Sequence, residues 1–470
     1  MNNNAEKKPL TFLSLILITI VSVDSIRNLP ATAIFGGQIF FFFLGACILF
    51  LLPCAFISAE LSAHEVNTEE GGIYYWLKAA FGNNVAFIGI WFQWLENVIF
   101  YPAILSFVAG TLAYIIMPDN ASLLTNNKYY ILAVVLSIFW TLTFVNMRGI
   151  KLTSLVSNIC TIFGLLIPMT IIISLGLYWL YAGYPLQMSF EYHSLLPDFS
   201  NKDIWVSLTG IILSFSGIEI ATVYVRDIQN PKKKFPKALL ISTIVIAVTL
   251  LLGSLAIAIS VPNKEINLIS GIMQALEIFL KKYELLWLLP FMGVMVIIGG
   301  IGSVLNWIIA PTTGLHMAAM DGLMPAIFKY ENKFKAPTNL LLMQAILTSI
   351  LTTVYLLLPS INIAYWLLTV LASQVYMFMY ILMFLAAIKL RKTYKASDET
   401  FTIGKSAKST YFVATIGIIG CVTTIIAGFI RPESMDIGAN NYYETLLISG
   451  LIILSLPPFI INYLNKKYKA

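Results

Sequence analysis

Apolar runs long enough to cross a membrane follow one another along almost the whole chain, from Leu10 to Leu464. A helix needs about 20 mostly apolar residues to cross the hydrocarbon core of a bilayer. Only 11% of the residues are charged, whereas about a quarter is usual for a soluble protein. The pattern therefore predicts an all-α polytopic membrane protein whose surface contacts the lipid bilayer.

Twelve transmembrane helices fit into these runs, and each bound is good to a few residues. The predicted spans are 10–35, 38–63, 84–116, 129–147, 151–182, 203–227, 236–261, 284–315, 338–358, 361–389, 409–430 and 443–465. We take the whole of 1–470 as a single transmembrane domain.

The distribution of positive charge predicts the orientation of the chain. An even number of spans puts both termini on one side, and the loops of that side carry most of the lysines and arginines. The other loops carry only Lys128, Lys202, Lys264, Lys281, Lys282 and Arg431. Since cytoplasmic loops hold the excess of Lys and Arg, both termini are predicted to be cytoplasmic. The same bias accounts for the net charge of +6, so no nucleic-acid partner is predicted.

No metal site, cofactor or disulfide is predicted. The sequence has no CxxC motif and no Cys/His cluster, and its four cysteines lie in apolar runs, at Cys47, Cys54, Cys160 and Cys421. Buried packing explains such cysteines best. An enzyme would need a nucleophile–base pair or a metal cluster, and because none of the usual spacings occurs, the prediction is that the chain is not an enzyme.

The sixth predicted span contains the signs of an interrupted helix. Ser214, Phe215, Ser216 and Gly217 place small residues and a glycine at mid-span, and Glu219 follows two residues later. A carboxylate is costly in lipid unless it faces a cavity. A helix that is interrupted beside an acid is typical of a transporter binding site.

The first predicted span is also interrupted. It places Asp24, Ser25, Ile26 and Arg27 at mid-membrane, followed by Pro30. Proline removes an amide donor and disfavours helical geometry at the preceding residue. The alternative is a simple proline kink in which Asp24 and Arg27, at i,i+3 spacing, form an ion pair with each other.

Three further spans carry polar or aromatic residues that are candidates for the same site. Glu96 lies near the middle of the third span, Trp307 lies in the eighth, and Tyr376 and Tyr380 share a face of the tenth at i,i+4 spacing. For Glu96, a carboxyl hydrogen-bonded within the helix bundle is an equally good interpretation. For the two tyrosines, ordinary packing is the alternative.

The two interrupted spans stand five helices apart. Interruptions at corresponding positions of two halves indicate an inverted-repeat transporter and its binding site. Because five is odd, the second set of helices would run inverted in the membrane.

Several motifs occur in the order that a known family shows. They are Pro53 to Leu61 with Gly71-Gly72-Ile73-Tyr74, Phe215 to Glu219 continuing to Asn230-Pro231 and Phe235-Pro236, Asn263 to Met273, Asn306 to Pro311, and Asp321 to Pro325. At these residues the chain resembles the amino acid–polyamine–organocation superfamily, and within it the bacterial glutamate/γ-aminobutyrate antiporter family.

The resemblance implies a LeuT-like fold with a five-plus-five inverted repeat. The first repeat would be 10–182, the second 203–389, and two added helices would occupy 409–465. It also implies exchange of amino acids by alternating access in the bacterial cytoplasmic membrane. Backbone groups of the interrupted spans would hold the substrate, Glu219 would lie at the gate or pocket, and Trp307, Tyr376 and Tyr380 would form walls or gates.

The chain also differs from that family. It ends at Ala470, soon after the last predicted span, so gating by a long C-terminal plug is not expected. Some relatives have a lysine in the fifth span where this chain has Asn158, so proton coupling through that lysine is not expected either. The charges of Asp24, Arg27 and Glu96 have no match in the antiporter's pocket.

The leading functional prediction is a secondary active transporter that exchanges amino acids, or an amino acid for an amine. Three acids against Arg27 leave a formal excess of two negative charges, which favours neutral or cationic substrates. Glu96 and Glu219 are the candidates for proton coupling, so proton symport stays open beside exchange. A non-transporting amino acid sensor is a weaker alternative, and both a monomer and a homodimer are open.

Overall fold

The computed structural model describes residues 11–64, 72–148, 160, 162–197, 203–228, 230–393, 401–431 and 440–469. The regular elements in these ranges are helices. In the first half of the chain they are α1 Phe12–Val23, α2 Asn28–Ala33, α3 Ile39–Ala46, α4 Leu52–His64, α5 Ile73–Phe81, α6 Asn83–Ile116, α7 Ala121–Thr125, α8 Lys128–Asn146, α9 Ile167–Tyr181 and α10 Tyr192–Leu195. Short π-helical segments, Cys47–Leu51 and Ile162–Leu166, lead into α4 and α9.

The second half continues in the same way. Its helices are α11 Asp203–Ser214, α12 Pro231–Ser260, α13 Gly271–Lys282, α14 Leu289–Met320, α15 Thr338–Thr352, α16 Val354–Leu357, α17 Ile361–Thr393, α18 Ala407–Gly428 and α19 Asn440–Lys469. A 3₁₀ helix, Ile218–Asp227, follows α11. Shorter 3₁₀ turns occupy Gly36–Gln38, Pro118–Asn120, Asn263–Glu265, Leu286–Leu288 and Ala326–Lys329.

Ten helical segments of the described residues are long and apolar enough to cross a membrane. They are Gly36–Ala63, Asn83–Ile116, Lys128–Asn146, Ile162–Tyr181, Lys233–Ser260, Leu286–Met320, Thr338–Leu357, Ile361–Thr393, Ala407–Gly428 and Tyr442–Asn465. Each coincides with one of the twelve predicted spans. The other two predicted spans, 10–35 and 203–227, are occupied by short helices with non-helical residues between them.

Helices α6 and α17 form the centre of the bundle. In each, 72% of the most apolar stretch is buried, whereas in the last span only 11% is. A helix that is apolar on all sides belongs in the interior or in lipid, and α6 packs against both α14 and α17. The polar residues in the middle of α6 and α17, such as Glu96 and Gln374, are therefore held inside protein and not against lipid.

Glycines allow two helices to meet backbone to backbone, as the glycine-rich eighth span predicts. A Cβ atom on Gly299 of α14 would lie 2.1 Å from the carbonyl oxygen of Gly164. Small residues permit such approaches between membrane helices. This contact brings α14 beside the segment that leads into α9. Asn158, where the family comparison predicts a difference in proton coupling, lies outside the described residues.

The amphipathic segment between the second and third predicted spans forms the short helix α5. The stretch Thr68–Gly82 predicts an interfacial helix, and its described part is helical from Ile73 to Phe81. Tyr74 and Lys78 of α5 both donate hydrogen bonds to Asp321, just beyond the end of α14, each at 2.5 Å. This pair of contacts attaches α5 to the bundle.

Candidate functional site

The first helix is interrupted between Val23 and Asn28. Asp24 has extended backbone geometry, with φ −69° and ψ 132°, and the chain resumes a helical course at Asn28. Pro30 lies in the first turn of α2, where a missing amide donor is tolerated. The interruption is thus confirmed, but it lies about one turn before Leu29, because Pro30 begins the second helix and does not end the first.

The sixth predicted span is interrupted at Gly217. Helix α11 ends at Ser214, residues 215–217 form a turn, and the 3₁₀ helix begins at Ile218. Gly217 has φ +111°, a left-handed conformation that only glycine adopts readily. The glycine therefore permits the change of direction beside Glu219.

The two interruptions lie against each other. A Cβ atom on Gly217 would lie 2.7 Å from the carbonyl oxygen of Ser22 and 3.1 Å from Cη2 of Trp307. The 3₁₀ helix packs along α1, and both α1 and the 3₁₀ helix pack against α12. The interrupted backbone of both helices thus meets at one place inside the bundle.

A cavity opens where they meet. It is lined by Val21, Ser22, Val23, Asp24, Ser25, Arg27, Asn28, Glu96, Asn97, Phe100, Tyr101, Ile104, Leu213, Ser216, Ser303, Val304, Trp307 and Tyr376. A second, smaller cavity shares Asp24, Ser25 and Arg27 with the first and also contains Ile26. The charged residues of the first interruption therefore line both spaces.

Arg27 is buried in this site, with 3% of its surface exposed. Its Nη2 donates to Oδ1 of Asn28 at 2.6 Å, and its Nη1 lies 3.4 Å from the hydroxyl of Tyr365. The guanidinium lies 3.8 Å from the centre of the Phe100 ring. Its Nε has no hydrogen-bond partner among the described residues.

The two acids of the cavity are each only partly satisfied. Asp24 accepts a hydrogen bond from the hydroxyl of Thr249 at 2.8 Å through Oδ2, and its Oδ1 has no partner among the described residues. Glu96, 4% exposed, keeps Oε2 without a partner in the same set. Buried polar groups are usually paired, so these oxygens are available to a ligand in the cavity.

Asp24 and Arg27 do not form the ion pair of the proline-kink alternative. The ion pairs within 4.0 Å that the described residues contain are Lys78–Asp321, His316–Glu331 and Arg391–Glu60. Asp24 is bound to Thr249, and Arg27 to Asn28 and Tyr365. The two charges are therefore free of each other.

Glu219 lies behind the cavity wall in a cage of hydrogen-bond donors. Tyr376 donates to its Oε1 at 2.6 Å, Tyr380 donates to its Oε2 at 2.6 Å, and Nε2 of Gln93 donates to Oε1 at 3.3 Å. The amide of Gly217 donates to the Tyr380 hydroxyl at 2.7 Å. This network connects the interruption of the sixth span to α6 and α17.

The predicted site residues fall into three sets, according to whether they line the main cavity, the smaller cavity or neither. Those that line the main cavity are Asp24, Ser25, Arg27, Glu96, Ser216, Trp307 and Tyr376. Ile26 lines the smaller cavity. Ser214, Phe215, Gly217, Glu219 and Tyr380 line neither; Gly217, Glu219 and Tyr380 connect to Tyr376 through hydrogen bonds. Their roles toward a substrate stay predictions.

Sequence reasoning missed three residues that shape the charged site. Phe100 covers the guanidinium of Arg27, Tyr365 lies near its Nη1, and Thr249 binds Asp24. Phe100 stands four residues after Glu96 on the same helical face, which is a usable signal. Nothing in the sequence distinguishes Tyr365 or Thr249 from the other tyrosines and threonines of the spans.

In chemical terms the cavity can bind a small molecule that carries both signs of charge. Its lining offers both guanidinium donors, from Arg27, and carboxylate oxygens, from Asp24 and Glu96. Among the described residues no group of His, Cys, Asp and Glu could hold a metal ion.

Comparison with known protein families matches residues 10–452 to the family described as "Amino acid permease". An uncharacterized transporter of Legionella pneumophila is 40% identical over 457 residues, which cover 97% of both chains.

Two more distant relatives are named for what they carry. A glutamate/gamma-aminobutyrate antiporter of Lactococcus lactis is 24% identical and aligns with 98% of this chain and 92% of its own. A probable agmatine/putrescine antiporter of the same species is also 24% identical, over 98% of this chain and 96% of its own.

Proposed function

Because the chain belongs to the amino acid permease family, we propose that it exchanges a small amine-bearing substrate, an amino acid or its decarboxylated amine, by alternating access across the bacterial cytoplasmic membrane. The observation that carries this proposal is the cavity between the two interrupted helices, with the buried charges Asp24, Arg27 and Glu96 on its walls. Relatives named as glutamate/gamma-aminobutyrate and agmatine/putrescine antiporters support it.

The proposal includes a five-plus-five inverted repeat. Residues 10–182 and 203–389 form the two repeats, and 409–465 the two added helices. Its support is the pair of interruptions, at Asp24–Arg27 and at Phe215–Gly217, five predicted spans apart. Transporters with such repeats bind substrate at interrupted helices near the bilayer midplane.

The excess of Lys and Arg in the loops on the side of the termini supports cytoplasmic termini.

Glu219, Tyr376 and Tyr380 belong to the gate in this proposal. Their hydrogen bonds join the interrupted sixth span to α17, so the two elements must either move together or break these bonds during alternating access. Tyr376 also lines the cavity, which gives the network direct contact with a bound substrate. Glu219 acts on the substrate through this tyrosine.

Of the two predicted proton carriers, Glu96 is the better placed. It lines the cavity and has a carboxylate oxygen without a partner among the described residues. Glu219 already accepts three hydrogen bonds from side chains, which leaves less room for a proton that must come and go. We assign any proton exchanged with the substrate to Glu96.

Flux through purified protein in liposomes tests the proposal. Vesicles are loaded with one amino acid or amine at a time and offered each labelled compound outside, and empty vesicles serve as the control. Uptake that requires an internal substrate supports exchange. Uptake into empty vesicles that follows an imposed pH gradient would contradict exchange, and binding without flux would indicate a sensor.

A further inference from the structure

We infer that Arg27 is a specificity-determining residue: it binds an anionic group of the substrate, and it makes the cavity select a zwitterion over a diamine. The inference deepens the proposed function and rests on it. The anionic group of an amino acid is its carboxylate, and the competing compounds are dications such as putrescine and agmatine.

The first support is the unfinished bonding of Arg27. Arginine has five N–H donors in a planar fork and cannot be deprotonated in a protein. Two of its nitrogens are accounted for by Asn28 and Tyr365, the second at the long distance of 3.4 Å, and Nε has no partner among the described residues. Donors are left over for a ligand.

The second support is that no acid of the described residues is in ion-pair contact with Arg27. No carboxylate of the described residues lies within 4.0 Å of the Arg27 guanidinium. Removing a charge from water is costly unless it is paired, and a charged side chain within a membrane-spanning region is by default a functional one. A substrate anion supplies the missing partner.

The third support is the way the guanidinium is held. The guanidinium carbon lies 3.8 Å from the centre of the Phe100 ring, and such a cation–aromatic contact suits arginine. The ring accepts no strong hydrogen bond, so this contact leaves the N–H donors available. Paired N–H groups of a guanidinium match the two oxygens of a carboxylate, so arginine favours this anion over a neutral hydroxyl or amide.

The two acids of the cavity supply a place for an ammonium group. Glu96 and Asp24 each present an oxygen without a partner among the described residues. The C-terminal end of α1, with Val21, Ser22 and Val23 at the cavity, adds carbonyl oxygens and the negative end of the helix dipole. A zwitterion satisfies the acids and Arg27 together, whereas a dication brings a second positive group into the cavity that holds Arg27, and such like-charge contacts act against the wrong partner.

The test measures selectivity in wild-type protein and in Arg27→Gln and Arg27→Lys. Liposomes carrying each protein are loaded in turn with glutamate, γ-aminobutyrate, putrescine and agmatine, and exchange of the labelled compound is competed with the other three. Ligand-induced shifts of the thermal unfolding midpoint of purified protein give a second reading that does not require transport. Lys405→Gln, which removes an exposed charge outside the cavity, and Arg391→Lys, at a buried arginine elsewhere, are the matched controls.

Wild-type protein is expected to prefer the carboxylate compounds. Arg27→Gln should lose about tenfold to a hundredfold of its affinity for them, the worth of a charge-assisted hydrogen bond, while putrescine and agmatine compete better than in wild type. Arg27→Lys should keep the order of preference at lower affinity. Both control variants should keep the wild-type ratio of affinity for carboxylate compounds to affinity for diamines. A merely structural role of Arg27 would lower stability without changing that ratio.

Three results would overturn the inference. One such result is that wild-type protein exchanges only diamines, and another is that Arg27→Gln folds and keeps the preference for carboxylates. In both cases the proposed exchange is retained, but Arg27 does not determine substrate selectivity. If Arg27→Gln does not fold, Arg27→Lys is used instead, and a preference of that variant for diamines would show that the positive charge at this position does not select carboxylates. If wild-type protein moves none of these four compounds but exchanges another amino acid, the preference of Arg27→Gln is measured between that amino acid and its decarboxylated amine; if it exchanges no amino acid or amine, the proposed exchange fails together with the inference.

Discussion

The backbone of Gly217 lies so close to Ser22 that a Cβ atom on the glycine would come within 2.7 Å of the serine carbonyl oxygen. These residues belong to the two interrupted helices, which are far apart in the chain. Their contact sets how closely the interruptions approach and so the shape of the cavity between them.

Gly217→Ala should therefore impair both folding and exchange. The new methyl group meets backbone on one side and Trp307 on the other, and a left-handed residue other than glycine costs about 1–3 kcal/mol by itself. The thermal unfolding midpoint of the purified protein and its exchange rate in liposomes measure the effect.

Gly210→Ala is the matched control, because a Cβ there meets nothing within 4 Å and the residue lies inside α11. It should be neutral or stabilising by up to about 1 kcal/mol. If Gly217→Ala and Gly210→Ala had the same unfolding midpoint and the same exchange rate, the Gly217–Ser22 contact would not limit the size of the residue at position 217.

Tyr380→Phe should weaken the gate network. The change removes the donor to Glu219 and the acceptor of the Gly217 amide, and each buried group left unsatisfied costs about 1–3 kcal/mol. We expect a lower unfolding midpoint and a reduced exchange rate in liposomes.

Tyr443→Phe provides the comparison for that change. Its hydroxyl donates to the carbonyl oxygen of Gly428 and contacts none of the cavity residues. It should lower stability without a comparable loss of exchange. An unchanged exchange rate in Tyr380→Phe would show that the Tyr380 hydroxyl has no role in gating.

Arg391→Gln should destabilise the protein without changing its selectivity. Arg391 Nε lies 3.5 Å from Oε1 of Glu60, an ionic contact between side chains that are each 3% exposed. Thr410 and the amide of Ile403 also donate to Glu60. Removing one partner of a buried pair leaves the other charge uncompensated and costs about 3–5 kcal/mol.

A double-mutant cycle with Glu60→Gln isolates this interaction. The double variant should lose less free energy of unfolding than the two single variants lose together, because neither charge is then left alone. Denaturant unfolding in detergent measures the three values. Simple additivity would mean that Arg391 and Glu60 do not interact across the 3.5 Å contact.

The contact of α5 with Asp321 should weaken in acid. Partial burial of the carboxyl works in the opposite direction, but hydrogen bonds from Lys78 and Tyr74 lower the pKa of Asp321 below its ordinary value. A carboxyl with a lowered pKa contributes stability above its unfolded pKa of about 3.9, and this stability is lost as the pH falls through the folded pKa.

Comparison of wild type with Asp321→Asn at a series of pH values measures this effect. Since the side chains of Lys78 and Asp321 are 36% and 31% exposed, the difference in free energy of unfolding at neutral pH should stay below about 1 kcal/mol. It should shrink below about pH 4. A difference that grows on acidification would contradict the assignment.

The sequence predicted the family and the class of this protein well. The family match confirms an amino acid transporter of the amino acid permease family, and exchange stays a proposal that relatives named as antiporters support. Ten of the predicted spans coincide with helices long enough to cross a membrane, within the described residues. The twelve-helix inverted repeat stays a prediction.

The site was predicted less completely. Asp24, Arg27 and Glu96 stood out because charges within apolar runs are rare, and all three line one cavity. The sequence left open whether Asp24 pairs with Arg27, since i,i+3 spacing allows it in a continuous helix. The interruption at that point removes the helical spacing, and Asp24 binds Thr249 instead.

The sequence by itself determined where helices can cross a bilayer and where the sixth span can turn, because the length of an apolar run and the conformational freedom of a glycine are local properties of the chain. Only the tertiary structure decided which polar groups meet. Glu219 is bound by Tyr376 and Tyr380, and Arg27 is covered by Phe100. Such partners lie many residues apart, and their pairing follows from how the helices pack, which no periodicity within a single helix encodes.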